Sequence, residues 1–255
     1  MENFSMSSAP LEYYGYNLTR LVQQGLFSPL PGYETCITKV FQTLLQKEKT
    51  TNKYNPLLLD TDGVSRWRII IEIARRIEAN EAPDLLSARQ VFALNYEALF
   101  AKSIDSSHFN SNLYSTKPIL PLFDKGEWNE SLGNAASEEM IESLLAKYFS
   151  SLLWPSLEKW RAPGGVLSRL QKIFLTIRQM EGKVLLFINH FHRLLGGELS
   201  RYPIDASSLL KPILARREIQ FIGACMPDQY QQYIEQDAAI SRRLQEFHIK
   251  SDNEF

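Results

Sequence analysis

The chain has 255 residues, 44% of them hydrophobic, and its 28 basic residues against 29 acidic ones leave a formal charge of −1. That balance argues against a nucleic-acid or acidic-membrane partner, and the basic residues are scattered without interleaved aromatics. Two cysteines, Cys36 and Cys225, fit a reducing compartment rather than a disulfide framework; the longest apolar run, Val184 to Ile188, is far too short to span a bilayer, so a cytoplasmic protein is expected.

The N-terminal sequence MENFSMSSAPLEYYGYN has no basic stretch followed by an apolar run, so it does not read as a secretory signal. Leu11 to Gly25 is a mixed polar and apolar stretch expected to hold a short helix, followed by the turn Ser28-Pro29-Leu30-Pro31-Gly32. Residues 1–34 are therefore read as an N-terminal arm and linker, and 35–255 as one α/β domain. Apolar residues at Ile37, Val40, Phe41, Leu44 and Leu45 predict a helix over Thr35 to Lys49. Leu57 to Leu59 predicts a strand, and the apolar stripe Ile69, Ile70, Ile73, Ala74 and Ile77 predicts a helix from Ser65 to Asn80. Val91 to Leu94 follows as a second strand and Glu97 to Lys102 as the start of a helix.

From about 104 to 162 the pattern changes. Residues 108–130 are rich in Ser, Asn, Pro and Gly, after which Glu138 to Leu153 reads as an amphipathic helix. Beyond it come a helix at Leu167 to Met180, a strand at Val184 to Ile188 and a helix at Ala206 to Ala215. A strand at Glu218 to Gly223, a helix at Asp228 to Glu235 and a last short strand at Phe247 to Ile249 complete the series. A continuous apolar run such as Val184 to Ile188 suits a strand buried on both faces, and strands alternating with helices predict a parallel, doubly wound sheet.

The loop between the first strand and its helix is the most informative stretch. A phosphate-binding loop reads GxxxxGK[ST] between a strand and a helix: glycines admit phosphate to backbone N–H groups, Lys reaches the outer phosphates and the hydroxyl holds Mg²⁺. The corresponding eight residues here are Asp60, Thr61, Asp62, Gly63, Val64, Ser65, Arg66 and Trp67. Asp60 and Ser65 replace the two glycines, Arg66 the lysine and Trp67 the hydroxyl residue. Two carboxylates and a bulky indole are thus expected in the cradle meant for phosphate. Each like-charge contact at about 4 Å costs roughly 1 kcal/mol in water and about 4 kcal/mol at an effective dielectric of 20.

Other chemistries find less support. His190 and His192 are two apart and no Cys or carboxylate cluster lies beside them, so no metal site is expected. No GxSxG nucleophile elbow is present.

Four segments, taken together, resemble one family. LTRLVQQGLFSPLPGYE, NPLLLDTDGVSRWRIIIEIARRI, VLLFINHFHRLLGG and DASSLLKPILARREIQFIGACMPDQYQQYIEQDAAISRRLQ, in that order, are similar to the first AAA+ module of Clp-type unfoldases such as ClpB, ClpC, ClpA and ClpV. The resemblance implies a P-loop NTPase-like AAA+ large subdomain: a parallel sheet in the order 5-1-4-3-2 with helices on both faces. The helical lid that follows in the family is not found before the chain stops, soon after Ile249. The resemblance excludes only the segment 104–162, an insertion where the family has its first pore loop. Trp160-Arg161-Ala162-Pro163-Gly164 stands for that turn, beside an aromatic stretch (Phe149, Leu152, Leu153, Trp154, Leu157, Trp160) that either packs the insertion onto the core or docks a partner.

By the same resemblance, the Asp-Glu pair that orients Mg²⁺ and activates water is Asn189-His190 here, and the two sensor threonines are Cys225 and Met226. Loss of a general base alone costs a factor of about 10²–10⁴ in rate. Arg242-Arg243 falls where the family places its arginine fingers, which reach a neighbouring subunit's site; the alternative is surface charge paired with Glu235, Asp237 or Glu246. The resemblance therefore implies a catalytically inactive pseudo-ATPase that partners or regulates an active Clp/AAA+ subunit in a hetero- or homo-oligomer, with no cofactor. A divergent ATPase using ATP and Mg²⁺, and a nucleotide-independent protein-binding scaffold, remain as alternatives.

Overall fold

A computed structural model describes residues 9–25, 27, 29–46, 52–100, 137–146, 165–196 and 205–250. Helix α1 (Ala9–Tyr14), strand β1 (Gly15–Asn17) and helix α2 (Leu18–Gln23) lead into α3 (Glu34–Leu44) and β2 (Asn55–Leu59). Helix α4 (Val64–Glu78), a single turn α5 (Asp84–Ser87), β3 (Gln90–Leu94) and α6 (Tyr96–Phe100) follow. Within the insertion, residues 138–146 form helix α7. The chain continues through α8 (Val166–Gln179), β4 (Val184–Ile188), a 3₁₀ turn (Phe191–Leu194), α9 (Ser207–Ala215) and β5 (Phe221–Cys225). A turn α10 (Pro227–Gln229), a π-helical stretch (Tyr230–Ile234), α11 (Ala238–Ser241) and β6 (Leu244–His248) complete it.

The six strands among the described residues lie in the order β1-β3-β4-β5-β2-β6. From β6 to β3 every pairing is parallel, and those five strands have the expected order 5-1-4-3-2. The sequence reading places no strand before Leu57; the structure adds β1, antiparallel to β3 with Gly15 opposite Leu94. Three residues between two helices leave too short an alternation to register as a strand. Gly15 is required here because a Cβ would stand 2.9 Å from the Leu11 carbonyl oxygen. The fourth parallel strand starts at Phe221, not Glu218, since Arg217 has left-handed φ (53°) and turns the chain before the sheet is reached.

Side-chain alternation along the strands divides the core in two. Leu58, Val91, Ala93, Leu185, Phe187, Ile222 and Ala224 face α2, α3, α4 and α7. Leu57, Leu59, Phe92, Leu186, Ile188 and Phe221 face α1, α8 and α9. Helices thus cover both faces, as continuous apolar strands require. Residues 9–23 are part of this core: Leu11, Leu18 and Leu21 are fully buried, and Thr19 Oγ1 accepts from Val91 N at 2.8 Å. Leu21→Ala should therefore cost about 2–5 kcal/mol, read from urea unfolding of the purified chain.

Candidate functional site

Strand β2 ends at the sheet's C-terminal edge, and the loop Asp60 to Gly63 carries the chain into α4. Parallel α/β sheets bind ligands at this edge, where strand ends and helix N-termini converge. Gly63 makes the turn with left-handed φ (72°), and a Cβ there would stand 2.5 Å from Glu138 Oε2. The backbone conformation strains any residue with a side chain, and a Cβ there would also push the Glu138 side chain aside.

The amides that open α4 are already engaged by the chain itself. Asp62 Oδ1 accepts from Val64 N and Ser65 N, each at 2.9 Å, and Asp62 Oδ2 accepts from Ser65 Oγ at 2.7 Å. Burial pushes the Asp62 carboxyl up, but these hydrogen bonds outweigh it and hold the group below the usual range. Asp60 Oδ2 accepts from Arg66 N at 3.2 Å, and its other oxygen forms an ion pair with the Arg66 guanidinium. Burial pushes Asp60 upward against the opposing pull of Arg66. The backbone donors and positive helix end that would greet phosphate thus face two carboxylates.

Arg66 does not reach outward as a phosphate-binding lysine would. Its side chain is only 1% exposed and runs along the edge of the sheet, donating to Asn189 Oδ1 at 3.0 Å. Trp67 is likewise not in the cradle. Its indole is buried in the core, edge-on to Phe187 with ring centroids 5.1 Å apart, because the helix rotates position 67 onto the sheet face.

Asn189 follows β4 and ties the edge together. Its amide donates to Glu138 Oε1 at 2.7 Å and to Glu142 Oε1 at 2.9 Å. His190 has left-handed φ (48°), and its Nε2 lies 3.1 Å from Glu138 Oε1. Both glutamates belong to α7, which is held down by the buried Ile141 and Leu145. Burial raises Glu138, yet His190, Arg66 and Asn189 bring it below the usual range; Glu142 is raised, chiefly by burial. The expectation that no carboxylates neighbour His190 is corrected: Glu138 and Glu142 arrive from 52 and 48 residues away in sequence. Their one-turn spacing on a helix was visible, but nothing in the sequence fixed where that helix docks.

The remaining candidates lie around this cluster or apart from it. Thr61 is exposed on the loop. Cys225 ends β5 with its thiol buried and pushed up to about 12, chiefly by desolvation, while Met226 is 37% exposed. His192 is buried beside Tyr233 and driven down to about 3 by desolvation, so it is neutral. Arg242 and Arg243 stand on the turn between α11 and β6, with no hydrogen bond to the cradle among the described residues. Arg243 turns inward and donates to the Ala239 carbonyl at 2.6 Å; Arg242 is exposed. The segments named for the pore-loop turn (160–164) and the aromatic stretch (149–160) lie outside the described residues.

With this geometry in view, comparison with known proteins is decisive. ClpB 1 of Thermosynechococcus vestitus is 30% identical over 94% of this chain, and ClpB of Bacillus cereus is 30% identical over 92%. The chain matches a single Clp-type AAA+ module. Chloroplastic ClpC2 of Arabidopsis thaliana is also 30% identical over 92% of the chain. The chain spans only about a fifth of these relatives, 21%, 20% and 18% of their lengths respectively. Among solved structures, the Saccharomyces cerevisiae Hsp104–ADP complex superposes over 94% of the chain with a TM-score of 0.60 at 21% identity, covering 30% of that protein. At that identity the likeness establishes the AAA+ large-subdomain fold. No protein-family profile matches the chain, and no helix among the described residues is long and apolar enough to cross a membrane.

Two outcomes follow for the Clp-type module. Arg66→Ala leaves Asp60 buried without its counter-charge and should cost about 3–5 kcal/mol in chemical denaturation. Asp62 has a lowered folded-state value, so its contribution is present above the ordinary Asp range and lost as pH falls through the folded value. The stability gap between the parent chain and Asp62→Asn should therefore be open at pH 7 and close on acidification below about pH 4 in parallel urea titrations.

Proposed function

We propose that this Clp-type module is a catalytically inactive pseudo-ATPase that acts as a partner or regulator of an active AAA+ subunit. The observation that supports this reading most is that the phosphate cradle is satisfied from within: Asp62 holds the first α4 amides and Asp60 holds Arg66. A triphosphate would have to displace one carboxylate from its amides and would meet others at close range. The metal-orienting carboxylate and general-base positions are Asn189 and His190, and Asn189 is fully engaged by Arg66 and two glutamates. No cofactor is needed for this role.

What is left to act in trans is Arg242, the exposed member of the arginine pair. A guanidinium placed against a neighbour's γ-phosphate stabilises charge developing there during transfer, and such fingers are worth about 10³–10⁵ in rate. Arg243 is turned to its own backbone and anchors the turn on which Arg242 stands.

The test mixes the purified chain with an active Clp-type ring and follows phosphate release and assembly mass. The chain alone should hydrolyse Mg-ATP at background, the mixture should change rate or mass, and Arg242→Ala should abolish the change. Unaltered rate and mass would defeat the proposal. A divergent ATPase is the second reading, favoured by the retained left-handed turn at Gly63 between β2 and α4. Saturable heat on calorimetric titration with Mg-ATP, followed by turnover, would establish it instead.

A further inference from the structure

Three metal-ligating side chains meet at the rim of the cradle. Glu138 and Glu142 project from successive turns of α7, and His190 from the end of β4. One donor atom from each lies within 4.8 Å of the other two. His190 Nε2 is 3.1 Å from Glu138 Oε1, and its Nδ1 is buried without a hydrogen-bond partner among the described residues. Among the described residues neither ring nitrogen accepts a hydrogen bond: Nε2 faces a carboxylate and Nδ1 has no partner.

The charges around them do not balance locally. Arg66 is in contact with Asp60 and lies 3.9 Å from Glu138 Oε1. Arg193 acts on Glu142 only through space, and Asp62 is engaged by the α4 amides. Once Asp60 and Arg66 are counted against each other, two glutamates remain against Arg193, held side by side by the neutral Asn189 amide. Two carboxylates at such range repel, and a proton or a cation placed between them relieves the repulsion.

We propose that Glu138, Glu142 and His190 form a binding site for a first-row divalent metal ion of the zinc type. Two carboxylate oxygens and one imidazole nitrogen form a donor set suited to Zn²⁺, leaving one coordination position for water. Bonds of about 2.0–2.2 Å in a tetrahedron put ligand atoms about 3.4 Å apart. Glu138 and His190 are already near that separation, and rotation about the glutamate side chains closes the rest. All three ligands come from this chain, two of them from the insertion, so the site can be tested without nucleotide or a partner subunit. A bound ion would fasten α7 across the mouth of the cradle.

The test titrates the purified chain, free of nucleotide, with ZnCl₂ in a non-chelating buffer by calorimetry. Co²⁺ serves in parallel as a spectroscopic probe. One saturable site is expected, with a visible ligand-field band for Co²⁺ and a rise in Tm on Zn²⁺ addition. Glu142→Gln keeps an acceptor for the Asn189 amide, and His190→Asn tolerates the left-handed backbone. Each should weaken binding at least about tenfold and remove the Co²⁺ band. No saturable binding, or affinity and spectrum unchanged in both variants, would overturn the site while leaving the pseudo-ATPase reading intact.

Discussion

The contact between Arg66 and Asp60 is the constraint on which the rest of the edge depends. Both side chains are almost fully withdrawn from water, so each is tolerable only while the other is present. Their pairing fixes the direction of Arg66 along the strand ends, which places its second donor on Asn189. Asn189 then has only its amide hydrogens to offer, and they go to Glu138 and Glu142. The position that reaches for phosphate in a working loop has become the root of a network linking β2, α4, β4 and α7.

Most of the fold was legible in the sequence because apolar runs and helical periodicity are local signals. Val184 to Ile188 could hardly be other than a strand covered on both faces, and the stripe from Ile69 to Ile77 specified both a helix and its inward side. The segment around Gly15 was not legible, since a three-residue strand has no period to detect and depends on β3 for its hydrogen bonds. The boundary at Phe221 was missed because Glu218, Ile219 and Gln220 alternate like a strand while Arg217 redirects the backbone.

The chemistry of the candidate site divides in the same way. Asp60, Asp62 and Arg66 could be placed by their distance along the chain from β2, and the structure brings them together at the start of α4. Trp67 was assigned to the cradle by motif position, yet the 100° step between helical neighbours carries it to the opposite side, where apolar burial against Phe187 governs. Glu138 and Glu142 were invisible as site residues. Their role depends on a tertiary docking whose partners, Ile141 and Leu145 among them, look like any other amphipathic face.

The brevity of β1 has a further bearing on the molecule's behaviour in concentrated solution. A sheet whose outermost ribbon is only three residues long, and buried at each of them, presents almost no free ladder of amides and carbonyls on that flank. Longer ribbons in that position invite the lateral addition of another chain, which is how ordered aggregates begin. Here α1 and α2 clasp the ribbon at both ends, so growth from that side is denied a template.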